Sequence, residues 1–258
     1  MATLDSQPGA DAASAGRFAT THWSVIVAAQ GPASPAAQEA LAVLCSTYWY
    51  PLYVYIRRQG HSVEQTEDLT QGFFAGVLEQ HSLKVVDPAK GKFRSFLLAA
   101  CKHYLAHERS RARAQKRGGG RSFFSLNFHG AEARYRKEPA HTLTAEKLFV
   151  RRWALALLDQ VLARLREEFA SKGKGKLFDH LRVFLLGEKQ ALPQGKVAEE
   201  LDMTPGAVKV AVHRLRRRFR ELVREEIART VDSPEEIDDE IRELFASLAT
   251  QREVKPSL

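Results

Sequence analysis

Basic side chains are concentrated in two stretches of the chain, and both could bind a polyanion. Residues 109–121 contain six lysines and arginines and no acidic residue, and residues 209–220 contain six more, again with no acidic residue. A nucleic acid is held by such clusters because each Lys or Arg can neutralise a phosphate. The alternative is that both stretches are solvated faces of ordinary helices.

The second basic stretch lies within a helix-turn-helix pattern. A short amphipathic helix over 195–201 is followed by the turn Asp202-Met203, and then by Thr204 and Pro205, an N-cap and a first-turn residue typical of a helix start. In such a unit, the first turns of the second helix enter the major groove. An antiparallel helix pair with a basic exposed face is the alternative. The outward residues predicted to contact DNA are Thr204, Gly206, Ala207, Lys209, Val210, His213, Arg214 and Arg217.

Position along this second helix predicts different roles for its basic residues. Lys209 and His213 lie four residues apart on one face near the N-terminus, so we expect them to read bases. The later arginines, including Arg217 and Arg218, are expected to hold phosphates instead.

Other combinations of residues form no complete metal site or catalytic site. His103 and His107 lie four apart on one predicted helix, but Cys101 points away from that face and no carboxylate completes a metal site. The acidic residues between 64 and 68 have no partner nucleophile and no Gly-rich phosphate loop. We therefore predict no metal, no cofactor and no catalytic residue. A nuclease is the alternative from the enzyme class.

The composition is that of an ordinary globular protein. The 258 residues carry a net charge of +8 and are 44% hydrophobic, which excludes a wholly disordered chain, and two cysteines are too few for a disulfide scaffold. No apolar run approaches the roughly 20 residues that span a membrane. Residues 1–16 lack the basic start and apolar core of a secretion signal. We therefore expect a cytoplasmic protein that does not associate with a membrane.

Helical periodicity runs through almost the whole chain and predicts an all-α fold of two small helical domains joined by an extended linker. Pro51 should kink or break the first long helix. A strand is an alternative to a helix only for residues 21–28. The predicted divisions are a disordered leader over 1–17, a first domain over 18–117, a linker over 118–147, a second domain over 148–228 and an acidic C-terminal extension over 229–258.

Two of these segments leave alternatives open. The linker carries Phe123, Phe124 and Phe128, and exposed aromatic residues need burial, so the linker either threads into a partner or packs on its own domains. The acidic extension contains a helix that starts after Ser233. That helix could fold back on a basic face, bind a regulator or simply pack.

Short blocks in both predicted domains resemble the bacterial sigma-70 family. The pairing of the two sets of blocks, in order and spacing across residues 21–227, is specific, whereas either set alone is weak. Nothing between them resembles region 3, which is typical of the extracytoplasmic-function (ECF) type. The blocks similar to region 2 are 48–53, 67–71 and 93–97, and those similar to region 4 are 197–201, 207–209 and 214–216.

The resemblance implies a sigma factor, which binds core RNA polymerase and directs promoter-specific transcription initiation without being an enzyme. The first domain would bind polymerase and the downstream promoter element, with the loop 81–92 capturing a flipped base. The second domain would read the upstream element. The residues similar to the segment that docks on the β′ clamp helices are Asp68, Leu69, Gln71 and Phe74. Those similar to the helix face along promoter DNA are Arg94, Lys102, His103, Arg109 and Arg111.

The implied partners are core RNA polymerase, through its β′ clamp helices and its β subunit, promoter DNA, and an anti-sigma factor or another regulator. The sequence departs from the family at Gly72, where many members carry Glu, and this departure removes a carboxylate that would face polymerase. A helix-turn-helix transcriptional regulator that is not a sigma factor is the main alternative. It would bind duplex DNA alone and would not need the aromatic helices of the first domain.

Overall fold

The structure, a computed structural model, describes residues 23–30, 34–79, 92–114, 126–138, 143–186, 194–231 and 233–249. These residues form helices and no strand, which confirms the predicted all-α class. Within these same ranges, no helix combines the length and apolarity needed to cross a membrane. The helices are α1 (Trp23–Gln30), α2 (Pro35–Arg58), α3 (Val63–Glu79), α4 (Phe93–Ala114), α5 (Ala131–Tyr135), α6 (Ala145–Ala170), α7 (Gly175–Leu181), α8 (Val183–Leu186), α9 (Gln194–Glu200), α10 (Pro205–Ala228) and α11 (Glu236–Ala249).

Tertiary packing decides two local features: the alternative of a strand is excluded for the described residues from Trp23, and of the predicted kink or break at Pro51, the break does not occur. The apolar run at residues 23–30 is helix α1 rather than a strand; it packs on α2 and buries Ile26 completely. Helix α2 continues through Pro51, although an interior proline costs about 3 kcal/mol. Leu52 and Ile56 are fully buried in the turn that follows Pro51. Burial of two such side chains contributes about 3–6 kcal/mol, which offsets the cost of the proline.

A large apolar core runs through most of the described helices, and a smaller cluster lies between α2, α5 and the start of α6. Helix α6 packs against α2, α10 and α11. Tyr48 of α2 stacks on Phe149 of α6 with ring centroids 6.5 Å apart. The same buried cluster continues through Trp153 to Leu215 of α10 and Leu244 of α11. The core therefore crosses the predicted boundary between the two halves of the chain, and α6 is the helix that joins them.

The described part of the predicted linker packs on its own chain. Phe128 lies edge-on to Trp49 of α2 at 5.6 Å and also contacts Tyr53. The carboxylate of Glu132 in α5 accepts hydrogen bonds from Tyr53 at 3.1 Å and from Arg57 at 3.1 and 3.2 Å. Of the two alternatives for Phe128, the structure favours packing on its own domains. Phe123, Phe124, the leader and most of the loop 81–92 lie outside the described residues.

Candidate nucleic-acid interface

Helices α9 and α10 form the predicted helix pair with a tight turn. The Thr204 hydroxyl accepts a hydrogen bond from the Ala207 amide at 3.2 Å, as an N-cap should. Asp202 adopts a left-handed φ of 51°, and the Met203 amide donates to the Ala198 carbonyl at 2.9 Å, which closes the end of α9. Local capping therefore sets where α10 begins and which face of it is free.

The inward and outward faces of α10 agree with the sequence prediction. Val208, Val212 and Leu215 are buried in the core. Ala207 is half-buried, and Val210 is 49% exposed, which is unusual for a large apolar side chain. The other predicted contact residues are exposed: Thr204, Gly206, Lys209, His213, Arg214 and Arg217.

A groove of about 500 Å³ lies beside this face, between α10 and the turn that joins α6 to α7. Its floor is apolar and includes Val210 and Leu177, whereas Lys172, Lys174 and Arg214 supply its positive charge. These two lysines are not among the predicted DNA-contact residues, because only the fold brings them next to α10.

Two later arginines of α10 are engaged within the protein. Arg218 donates to both carboxylate oxygens of Glu168 in α6, at 2.7 and 2.8 Å, and also to Glu221 and Glu225. These hydrogen bonds raise the pKa of Arg218 above its usual value, and those to Glu168 have the largest effect. Arg216 donates to the Phe184 carbonyl at 3.0 Å. Arg218 therefore links α10 to α6. This internal role replaces the predicted contact with a phosphate.

Arg217 differs from its neighbours. Its side chain is 73% exposed and pairs with Glu221, itself exposed and one turn away, at 3.2 Å. An exposed pair of this kind is weak, so a phosphate can replace the carboxylate.

A second basic face lies on α4. Lys102 is 48% exposed and pairs with Glu146 at 2.9 Å. Arg109 donates to the Gln59 side chain at 2.8 Å, and Arg111 pairs with Glu108 within the helix. His103 is also exposed, so four of the five predicted DNA-contact residues of α4 lie on its surface.

Arg94, the fifth predicted contact of α4, is not on this surface. It is 5% exposed and pairs with Glu240 and Glu243 of α11, the latter at 3.0 Å. Its guanidinium also lies 4.3 Å from the centre of a Trp153 ring. In this arrangement Arg94 is therefore unavailable to DNA.

The predicted polymerase-binding residues of α3 also include both exposed and buried side chains. The helix begins with the reciprocal capping pair of Ser62 and Gln65, with both hydrogen bonds at 3.2 Å. Asp68 is exposed, Leu69 and Gln71 are half-buried, and Phe74 is 3% exposed in the core beside Phe73. Phe74 therefore supports the surface from beneath and does not form part of it.

The glycine at residue 72 has a structural reason. The hydroxyl of Tyr104 in α4 occupies the space where a Cβ at residue 72 would lie. Tyr104 packs edge-on to Phe73 at 5.8 Å, and burial raises its pKa to about 12. Tyr104 therefore serves in packing between α3 and α4.

Among the described residues, no three His, Cys, Asp or Glu side chains come together in a way that could hold a metal ion. No family model, curated protein or solved structure matches the chain. The features that point to a function are therefore the exposed basic residues of α4 and α10 and the sequence blocks described above.

Proposed function

We propose that the chain is an ECF-type sigma factor that binds core RNA polymerase and directs promoter-specific transcription initiation. In this proposal the protein acts stoichiometrically in the cytoplasm and catalyses no reaction. The observation that carries it is the pairing of two exposed basic faces, on α4 and α10, with sequence blocks similar to regions 2 and 4 in the expected order.

The finer division into functional units is part of the same proposal. Residues 18–117 bind polymerase and the downstream element, and residues 148–228 bind the upstream element, with 118–147 as the connection. The N-capped start of α10 supports DNA binding by residues 148–228, because its small residues Gly206 and Ala207 let a DNA backbone approach.

On α10, Lys209 and His213 are the base-reading candidates. Both are exposed and lie within the first three turns of the helix. Lys is a donor suited to the O6 and N7 acceptors of guanine. Arg217, exposed and farther along, is the candidate for a phosphate contact.

On α3, Asp68 and Gln71 are the candidates for polymerase contact, since Asp68 is exposed and Gln71 half-buried. The buried aromatic pair Phe73 and Phe74 anchors this helix to the core. Replacing the two surface residues should therefore change binding without unfolding the helix.

One observation favours a second candidate function, a helix-turn-helix regulator that acts without polymerase. Lys172 and Lys174 extend the positive surface beside α10, and such a surface can bind duplex DNA without any contribution from α3. The two functions differ in whether core polymerase is required.

Co-purification with core polymerase followed by run-off transcription tests the proposal. We expect a stable complex with the wild-type chain and a weaker one with Asp68→Ala/Gln71→Ala. Lys147→Ala, an exposed residue of α6, serves as the control and should bind like wild type. Thermal melting confirms that all variants fold. Binding of duplex DNA without any complex with core would exclude the sigma factor and favour the regulator.

A further inference from the structure

The acidic helix α11 is fastened to two neighbouring helices. Its apolar side is buried through Leu244, which is fully enclosed. Arg224 of α10 pairs with the exposed Asp238. Arg151 of α6 donates to the carbonyls of residues 247 and 248, near the C-terminal end of α11, at 3.5 and 3.2 Å. The packing leaves an acidic side of α11 facing the start of α4.

Two carboxylates of α11 cover two cations at the start of α4. Glu240 is fully buried and pairs with both Lys92 and Arg94. Glu243 is 49% exposed and accepts from Lys92 at 2.6 Å and from Arg94 at 3.0 Å. Burial by itself raises the pKa of the Glu243 carboxyl, but Lys92 and Arg94 outweigh burial and hold that pKa below its usual value. The Glu243 contact is therefore fully ionic near neutral pH.

A carboxylate in this position uses the N–H donors that a phosphate would use. Guanidinium groups bind carboxylates and phosphates through the same planar donor geometry. Buried ion pairs of this kind contribute little net stability compared with apolar packing. A role in switching therefore explains the presence of this ion pair better than stability alone. A phosphate can therefore replace these carboxylates on Lys92 and Arg94 without leaving either cation unpaired.

The location of these cations indicates which anion would replace α11. Lys92 and Arg94 lie at the start of α4, and Lys102 and Arg109 are exposed farther along the side of the helix that carries Arg94. The N-terminal end of a helix also favours negative charge. Displacement of α11 would move the carboxylates of Glu240 and Glu243 away from this end. Basic residues spaced along one side of a helix suit a nucleic-acid backbone.

We propose that α11 is an internal competitor of DNA, which covers Lys92 and Arg94 in the free protein and is displaced when nucleic acid binds along α4. The inference rests on the proposed function, because it requires α4 to be a DNA-binding face. It adds a regulatory role for the C-terminal helix, since DNA binding must include the free energy of releasing this contact.

Glu243→Gln tests the competition without disturbing the buried core. Its matched control is Asp239→Asn, which removes the same charge from the same helix but from a residue that pairs with Arg242 of α11 itself. A fluorescent single-stranded oligonucleotide and a duplex of the same sequence are titrated at several salt concentrations. We expect Glu243→Gln to bind about 5-fold more tightly, which is the lower end of typical coupling, and Asp239→Asn to change affinity by less than about 2-fold.

Hydrogen exchange of the wild-type protein provides a measurement that needs no variant. When saturating oligonucleotide is added, amides of α11 should lose protection and those at the start of α4 should gain it. Unchanged protection of α11 with DNA bound, or equal affinities for the two variants, would overturn the competitor role.

Repeating the titration with core polymerase separates this inference from the proposed function. Complexes with core that transcribe, but with no difference between Glu243→Gln and Asp239→Asn, would overturn the inference alone. A gain in DNA affinity for Glu243→Gln without any binding to core would support the inference and overturn the sigma factor.

Discussion

Two glycines of the same helix should respond in opposite ways to the same substitution. Gly72 and Gly76 both lie in α3, where Gly→Ala raises helix stability by about 1 kcal/mol. A methyl group at Gly76 would meet no atom within 4 Å, so Gly76→Ala should raise the free energy of unfolding by about this amount, or the Tm by about 2–4 °C. A methyl group at Gly72 would overlap the Tyr104 hydroxyl. Such overpacking costs about 1–3 kcal/mol, so Gly72→Ala should change stability by about 0 to −2 kcal/mol.

Removal of the hydroxyl alone should restore the gain at Gly72. The ring carbon of Tyr104 that carries the hydroxyl would lie 3.6 Å from the new methyl group, an ordinary contact distance. In a Tyr104→Phe background, Gly72→Ala should therefore stabilise the protein by about 1 kcal/mol relative to Tyr104→Phe alone. Urea denaturation of the four proteins in this cycle, together with Gly76→Ala, measures the coupling. If Gly72→Ala stabilises as much as Gly76→Ala while Tyr104 is intact, the reasoning is refuted.

The remaining predictions concern α10, pH and the thiols. Lys209→Ala should change the preferred upstream sequence at a cost of about 1–3 kcal/mol at one base position, whereas Arg217→Ala should weaken binding to all sequences and lower the salt slope by about 1, both measured on a randomised library. Arg218→Ala should instead lower the free energy of unfolding by about 1–3 kcal/mol in urea denaturation, since it leaves Glu168 without its bidentate partner. The hydrogen bonds from Arg218 hold the pKa of Glu168 below its usual value, so stability should fall as the pH drops below about 4.3, and less so in Arg218→Ala. Burial raises the pKa of both Cys45 and Cys101 to about 12, so neither thiol should react with a thiol reagent until urea unfolds the chain; a fast reaction in the native protein would contradict the buried placement.

The sequence by itself determined the helical class and the faces of α10. Thr204 and Pro205 locate the start of this helix, and the period of its apolar residues separates Val208 and Val212 from Lys209 and His213. These features are local, because a cap or a helical face depends only on residues within a few positions of one another. The capping pair at the start of α3 was predictable for the same reason.

Only the tertiary structure decided which charged residues are available. The basic residues of α4 cannot be ranked from sequence: Lys102 lies on the same helix as Arg94, yet Arg94 is buried against a carboxylate 146 residues away. Arg218 likewise meets Glu168 across 50 residues. Ionic partners at such separations leave no periodic trace in the sequence, because burial and pairing arise when helices pack together. The local sequence pattern determines where the helices form, whereas the tertiary packing of the helices determines the roles of their charged side chains.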